Sequence, residues 1–192
     1  MIINNWTENY PTNNCSKIQM ATSSKIEPVL LAELEALYMQ VMWLAEQPKV
    51  TASMARAWYT HVVAERVKRR IRQFTGKVSR AAASDPSATL RLEHYMRIQT
   101  KLTSLVEAHR KLKKPNPRGF IRVLLDCEQV HIVTLQENYD AMRAGGDYRK
   151  AGIKLIAWRS IPLEQRQVLW TKMLRGKVAN ADQYLSRSPK RI

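Results

Sequence analysis

The residues of this chain best suited to chemistry are the arginines and lysines between residues 66 and 80. Seven bases fall within these fifteen positions, and Glu65 is the acid beside them. The guanidinium fork of arginine matches phosphate oxygens, and neighbouring like charges repel unless a polyanion neutralises them. Phosphate contacts are therefore predicted for all seven bases. They are Arg66, Lys68, Arg69, Arg70, Arg72, Lys77 and Arg80.

A second basic cluster occupies residues 110–114, at the end of the predicted helical region. Its four bases are Arg110, Lys111, Lys113 and Lys114. Bases in the last turn of a helix complement its negative C-terminal end, so a purely structural role is one interpretation. The other is phosphate contact, and the four bases are included on that basis among the predicted binding residues.

The overall charge supports a polyanionic partner. The 192 residues include 32 Lys and Arg against 16 Asp and Glu, which gives a net charge of +16 and a pI near 10.2. Residues 1–46 carry a net −3, residues 47–114 a net +12 and residues 115–192 a net +7. This concentration in the middle of the chain favours a binding surface over general solubilisation.

The C-terminal part of the chain offers an alternative, a metal-dependent nuclease. The acid–base residues for it are His131, Glu137, Asn138, Asp140 and Asp147. An HNH-type site needs its histidine in a β-hairpin, whereas a helix is predicted between the two strands here. The pair Cys127-x3-His131 supplies too few ligands for a structural zinc ion. Neither a metal nor another cofactor is predicted, and His131 is expected to be a hydrogen-bonded strand residue.

Three aromatic residues of the helical region allow a second kind of nucleic-acid contact. Trp58, Tyr59 and Tyr95 have rings that can stack on the bases of a single strand. Their helical spacing beside apolar residues favours burial in the core instead.

Apolar spacing predicts three long helices over residues 25–114 to position the basic residues. The first begins at Pro28, and its leucine-rich seam repeats at spacings of four and three residues. The second covers residues 51–83, with Thr51 or Ser53 as its N-cap and a break possible at Gly76. On this helix Arg66, Arg70, Lys77 and Arg80 would share one flank, off the apolar seam. The third runs from Pro86 to about residue 114 and forms an antiparallel hairpin with the second.

A smaller α/β module is predicted after the Pro- and Gly-rich boundary at residues 115–119. Its elements are a helix over residues 120–128, strands over 130–134 and 153–158, and helices over 135–144 and 162–175. Thr134 and Glu137 form a capping box at the start of the middle helix. Strand, helix and strand in this order predict a βαβ unit.

The predicted fold class is therefore mainly α: a bundle or hairpin of long antiparallel helices followed by a small βαβ-like module. The domain prediction has four parts: a disordered tail over residues 1–24, a three-helix basic domain over 25–114, the α/β module over 119–176 and a basic tail over 177–192.

The predicted function is nucleic-acid binding through backbone phosphates, with DNA favoured over RNA, as an accessory subunit of a nucleoprotein assembly. The nuclease is one alternative, and a helical scaffold that binds partner proteins is another. A homo-oligomer or larger nucleoprotein complex is expected, without a membrane partner. Two widely separated cysteines favour a reducing compartment, hence the cytoplasm, or a nucleoid or nucleus if the partner is DNA.

Overall fold

The computed structural model describes residues 26–112 and 115–185, apart from the side chains of Val63, Ala64 and Arg66. Eight α-helices lie in the described part. They are α1 (Pro28–Ala45), α2 (Ala52–Trp58), α3 (Ala64–Ile71), α4 (Arg80–Ser84), α5 (Ile98–Leu112), α6 (Pro117–Cys127), α7 (Leu135–Arg143) and α8 (Leu163–Leu169). A π-helical segment, Tyr59–Val63, joins α2 to α3, and a second, Trp170–Leu174, extends α8. The predicted N-terminal tail, residues 1–24, lies outside the described residues, and so do residues 186–192 of the predicted C-terminal tail. Residues 177–185 of that tail are ordered instead, with Val178 and Ala181 buried.

Four strands of the described chain form one mixed sheet. They are β1 (Gln73–Ser79), β2 (Leu90–His94), β3 (Gln129–Thr134) and β4 (Leu155–Ala157). Their order across the sheet is β2-β3-β1-β4, with β1 and β3 parallel and the two outer pairs antiparallel. The chain is therefore mainly α with a small α/β part, as predicted.

The helix α1 organises a helical core. Pro28 occupies its first turn, where the missing N–H costs nothing. The predicted seam is confirmed, because Leu34, Leu37 and Val41 are at most 3% exposed and pack among side chains of α2, α5 and α6. By length and composition α1 could also cross a membrane, but buried core helices share that character.

The prediction of one helix over residues 51–83 is wrong. Thr51 does cap its start, but the helical structure ends at Ile71, and Gln73–Ser79 is the strand β1. Phe74 and Val78 are four residues apart, a spacing that fits a helix face but also one face of a strand. Pairing with β3 decides between the two, because tertiary contacts override local propensity. Lys77 therefore lies on a strand and Arg80 opens α4, so the predicted flank with Arg66 and Arg70 does not exist.

The long-helix hairpin is not confirmed either. Residues 90–94, predicted as helix, form β2, and the helix α5 begins only at Ile98. Leu90 and Leu92 alternate with polar residues and face the sheet core, whereas the helical seam in this region starts later. The βαβ arrangement is also wrong, since β4 pairs antiparallel with β1 instead of parallel with β3.

Local signals in the C-terminal part were more reliable. The helix α6 and the strand β3 are confirmed, and so is the complete capping box of Thr134 and Glu137 at the start of α7. The helix after Pro162 is confirmed as α8 with its π-helical extension, and Gly176 follows with a φ of 66°. These elements depend on caps and short-range spacing, which sequence displays directly.

A C-terminal segment completes the edge of β1 where the short strand β4 ends. The Asn180 amide accepts a hydrogen bond from the Phe74 N–H (2.8 Å) and donates one to the Phe74 carbonyl (2.9 Å). The Tyr184 hydroxyl donates to the same carbonyl at 3.1 Å. The side-chain amide of Asn180 thus pairs with the backbone N–H and carbonyl of Phe74, as a neighbouring strand would.

We predict that Asn180→Ala destabilises the fold by about 2 kcal/mol, because two hydrogen bonds to buried backbone are lost at about 1 kcal/mol each. Urea unfolding measures the difference. The control is Gln183→Ala in the same segment, at an exposed position. Equal stability of the two variants would show that the amide does not hold this edge.

Candidate functional site

The eleven residues predicted to contact phosphate divide into four groups. Four form ion pairs within the protein: Lys68, Arg70, Arg72 and Lys111. Arg110 donates instead to backbone carbonyls, at 3.5 Å to Ala45 and 3.3 Å to Val50. The side chain of Arg66 and the whole of Lys113 and Lys114 lie outside the described residues. The remaining three, Arg69, Lys77 and Arg80, are exposed and form no ion pair within the described chain.

Arg70 joins α3 to the start of α1. Its guanidinium lies 2.6 Å from the Glu33 carboxylate and 3.7 Å from that of Glu27. The hydrogen bond with Glu33 is the largest cause of the raised pKa of Arg70, and burial has a smaller, lowering effect on that pKa. The side chains of this pair are more than a third exposed, so the ion pair contributes little to stability. The acidic side of α1 thus has a basic partner within the chain.

Arg72 belongs to a buried network around Glu128, whose side chain is 0% exposed. The carboxylate accepts hydrogen bonds from Arg72 Nε at 3.2 Å and from the Tyr59 hydroxyl at 3.3 Å. His94 Nε2 lies 3.4 Å from the same carboxylate. The four residues come from β2, the π-helical segment, the α3–β1 junction and the α6–β3 junction. The arrangement is structural, since removing Arg72 would leave the buried charge of Glu128 without its arginine partner.

Opposing effects set the ionisation of Glu128. Burial favours its neutral form, but the hydrogen bond and charge of His94, with the charges of Arg72 and Lys68, outweigh burial. The pKa of Glu128 is therefore lower than usual. The same burial, with the Glu128 charge, raises the pKa of Tyr59 far above its ordinary value. Glu128 is thus an ionised carboxylate at neutral pH, and Tyr59 is its hydrogen-bond donor.

The exposed bases Lys77 and Arg80 lie beside two bases that are not among the eleven predicted residues. Lys77 is opposite Ala157 in the β1–β4 ladder, and the Arg80 N–H donates to the Lys154 carbonyl at 2.8 Å. Arg159 follows β4 by two residues. We call the exposed set Lys77, Arg80, Lys154 and Arg159 the β4-edge cluster. The pair Lys77 and Arg80 is at least 74 positions away in sequence from the pair Lys154 and Arg159, so only the pairing of the strands brings the four residues together.

The three acidic residues of the nuclease alternative are engaged in other contacts. Glu137 closes the capping box and accepts a hydrogen bond from the Ser79 hydroxyl. Asp140 pairs with Arg143, and Asp147 accepts the backbone N–H of Lys150. Within residues 26–112 and 115–185, no group of three His, Cys, Asp or Glu side chains is arranged to hold a metal ion.

His131 is a strand residue with a hydrogen-bond partner, as predicted. Its Nδ1 contacts the hydroxyl of Thr75, which donates its own proton to the Val130 carbonyl at 3.1 Å. The rings of Tyr95 and Tyr148 pack edge-on against the imidazole, each with a centroid distance of 5.7 Å. Burial, followed by the charge of Lys77, lowers the pKa of His131 to about 4, so the imidazole is neutral at pH 7.

The predicted stacking residues have different environments. Tyr59 is fully buried, and Trp58 packs against the helical core, as expected for core aromatics. Tyr95 is 59% exposed beside the His131 ring.

The fold and these contacts define a mainly helical protein with a mixed sheet and an exposed basic strand edge. No protein-family model, curated protein or solved structure matches the chain.

We predict that stability falls as the pH is lowered from about 6.5 to 4. In this window the unfolded chain protonates His131, whereas the fold keeps it neutral. The shift corresponds to about 3 kcal/mol of unfolding free energy, lost progressively towards pH 4. His131→Leu should flatten that part of the pH profile in denaturant titrations. An unchanged slope would assign the acid sensitivity to other groups.

We also predict that Arg72→Met costs about 3 kcal/mol or more, because Glu128 keeps its buried charge and loses its arginine. The matched control is Arg70→Met, which breaks a more exposed pair two residues earlier on the chain and should cost much less. If thermal or urea unfolding shows similar losses of stability for the two variants, the Arg72–Glu128 pair stabilises the fold no more than the exposed Arg70–Glu33 pair does.

Proposed function

We propose that this protein binds nucleic acid through backbone phosphates, with the β4-edge cluster as the primary contact surface. The observation that carries the proposal is the exposure of these four bases, none of which forms an ion pair within the described chain. Lys77 and Arg80 belong to the β1 side of the β1–β4 pairing, and Lys154 and Arg159 belong to the β4 side. Backbone hydrogen bonds between the two sides therefore fix the relative positions of the four backbones. Arg69 on α3 is a further exposed candidate.

The use of the acidic residues strengthens this proposal. Several acids serve the fold itself: Glu27 and Glu33 pair with Arg70, Glu128 is buried with Arg72, and Glu107 pairs with Lys111. Such carboxylates are not available to neutralise the exposed bases. The chain has 32 bases and 16 acids, and the excess positive charge therefore lies mainly at the surface, where a polyanion can displace counterions.

A different explanation of the edge bases is protection against aggregation. Natural sheets keep edge strands short and place lysines on them, and β4 has three residues with Lys154 beside it. That explanation accounts for Lys154. It does not require Lys77, which lies on the inner strand β1, or Arg159, which follows β4 in a 3-10 turn.

The test is a triple variant, Lys77→Gln, Arg80→Gln and Arg159→Gln. Affinity for duplex DNA and for single-stranded DNA and RNA should fall at least tenfold at low salt. The slope of log K against log salt should shrink by about 0.9 per lost phosphate contact on the duplex. Fluorescence anisotropy over a salt series measures both quantities, and an unchanged slope would contradict phosphate contact by these residues.

The control removes the same number of lysine and arginine charges from the helical core side: Lys101→Gln, Arg118→Gln and Arg122→Gln, all exposed. This variant should retain most of the affinity. If both triple variants lose affinity equally, the positive field acts diffusely and the β4-edge cluster is not the binding surface. If the unaltered protein binds none of the three nucleic acids, the proposed function is wrong.

A further inference from the structure

The solvent-facing side of α1 carries no charged residue along the whole helix. Trp43 is 65% exposed and Met39 56%. The two charged residues of the helix, Glu33 and Glu35, lie on opposite flanks of this side, and Glu33 pairs with Arg70. A helix at the surface of a protein usually has charged residues on the face away from the core. An uncharged, largely apolar face is typical of a contact with another molecule.

Charge determines which partner can approach this face. Residues 1–46 carry a net −3, whereas residues 47–114 carry +12 and residues 115–192 carry +7. Two copies of the chain therefore repel each other through most of their surfaces. Among the α-helices of residues 26–112 and 115–185, α1 alone has neither lysine nor arginine. A second copy can thus meet the first at α1 without bringing the bases of two helices together.

A cavity beside Trp43 makes this surface self-complementary. A symmetric dimer uses the same surface on both copies, so that surface must contain both a protruding group and the recess that receives it. The exposed indole ring of Trp43 is the protruding group. The recess is a cavity of about 210 Å³, whose apolar and aromatic wall is formed by Tyr38, Met39, Met42, Trp43 and Pro115. Because an engineered cavity of about 150 Å³ accommodates benzene, this volume has room for most of an indole ring.

Two residues of opposite charge lie at the end of the same surface. Glu46 follows α1 directly and borders the cavity, and Lys49 comes three residues later. Both are exposed, and neither forms an ion pair within the described chain. In a two-fold arrangement, a contact between two residues of different copies always occurs twice. Glu46 of each copy can therefore pair with Lys49 of the other, which gives two equal ion pairs.

We propose that two copies of this protein associate through the C-terminal half of α1, with Trp43 of each copy in the cavity of the other. The two-fold axis passes close to Trp43, so the two indole rings also contact each other. Trp43 is the anchor of the interface, because a tryptophan that fills a recess contributes most of the affinity in many interfaces. The Glu46–Lys49 pairs form the polar rim. The inference concerns the protein without nucleic acid and does not depend on the proposed function.

Sedimentation velocity of the full-length protein over about a hundredfold range of concentration tests the proposal. The mass should rise from 22.2 kDa towards twice that value as the concentration increases. Trp43→Ala should raise the dissociation constant of the dimer about thirtyfold or more, because the anchor of the interface is removed. At a concentration where both proteins are monomeric, the variant should melt at the same temperature as the unaltered protein, since the Trp43 side chain is mostly exposed in the monomer. That readout separates lost association from misfolding.

Exchange of the two rim charges tests the proposed arrangement at the axis. Glu46→Lys and Lys49→Glu should each weaken the dimer several-fold, because like charges then face each other. The double variant should recover the affinity of the unaltered protein, since the pairs are restored with their signs exchanged. A double variant that associates no better than the single variants would overturn this arrangement.

The control is Tyr139→Ala on α7, which removes another exposed aromatic ring and should leave the dimer unchanged. A protein that stays monomeric at every concentration would overturn the inference, and so would a dimer that Trp43→Ala leaves intact. Vesicles of neutral phosphatidylcholine test a lipid surface as the other occupant. If the monomeric protein binds these vesicles and Trp43→Ala abolishes the binding, a membrane covers this face of α1 and the dimer is rejected.

Discussion

The ionised carboxylate of Glu128 is the constraint on which the arrangement of this protein depends. It is fully buried at the turn from α6 into β3, where desolvation alone would make it neutral. Tyr59, Arg72 and His94 reach it from three other parts of the chain. The helical core and the sheet core meet at this point, so the network fixes how one is placed against the other. Apolar contacts alone would define this placement less sharply, because they are not directional.

Ion pairs within the fold explain why the number of basic residues in a segment does not identify the bases that remain exposed. Arg72 and Arg70 are close in sequence, and both were expected to contact phosphate. Arg72 instead compensates a buried carboxylate, and Arg70 joins α3 to α1. Lys154 and Arg159 had no such assignment, and the fold leaves them exposed beside Lys77. The net charge predicts a polyanionic partner, and pairing within the fold decides which bases remain exposed for the proposed contact.

The sequence predicts those parts of the fold that are determined locally. The helix α1, the strand β3 and the capping box at Thr134 follow from spacing, β-branched residues and caps within a few positions. The strand β1 could not be predicted, because its identity depends on pairing with β3, about fifty-five residues away. Its apolar residues fit a helix equally well until that partner is known.

The change of Lys77 from helix to strand alters the physical basis of the proposed contact. On an exposed helix, repulsion between neighbouring bases would weigh directly on helix stability. In β1 the backbone is held instead by β3 on one side and by β4 and Asn180 on the other. Gly76, with a φ of 76°, lies within the irregular part of the β1–β3 pairing. The bases thus lie on a backbone whose geometry other residues maintain, so their mutual repulsion can persist in the free protein, and the proposed polyanion would relieve it.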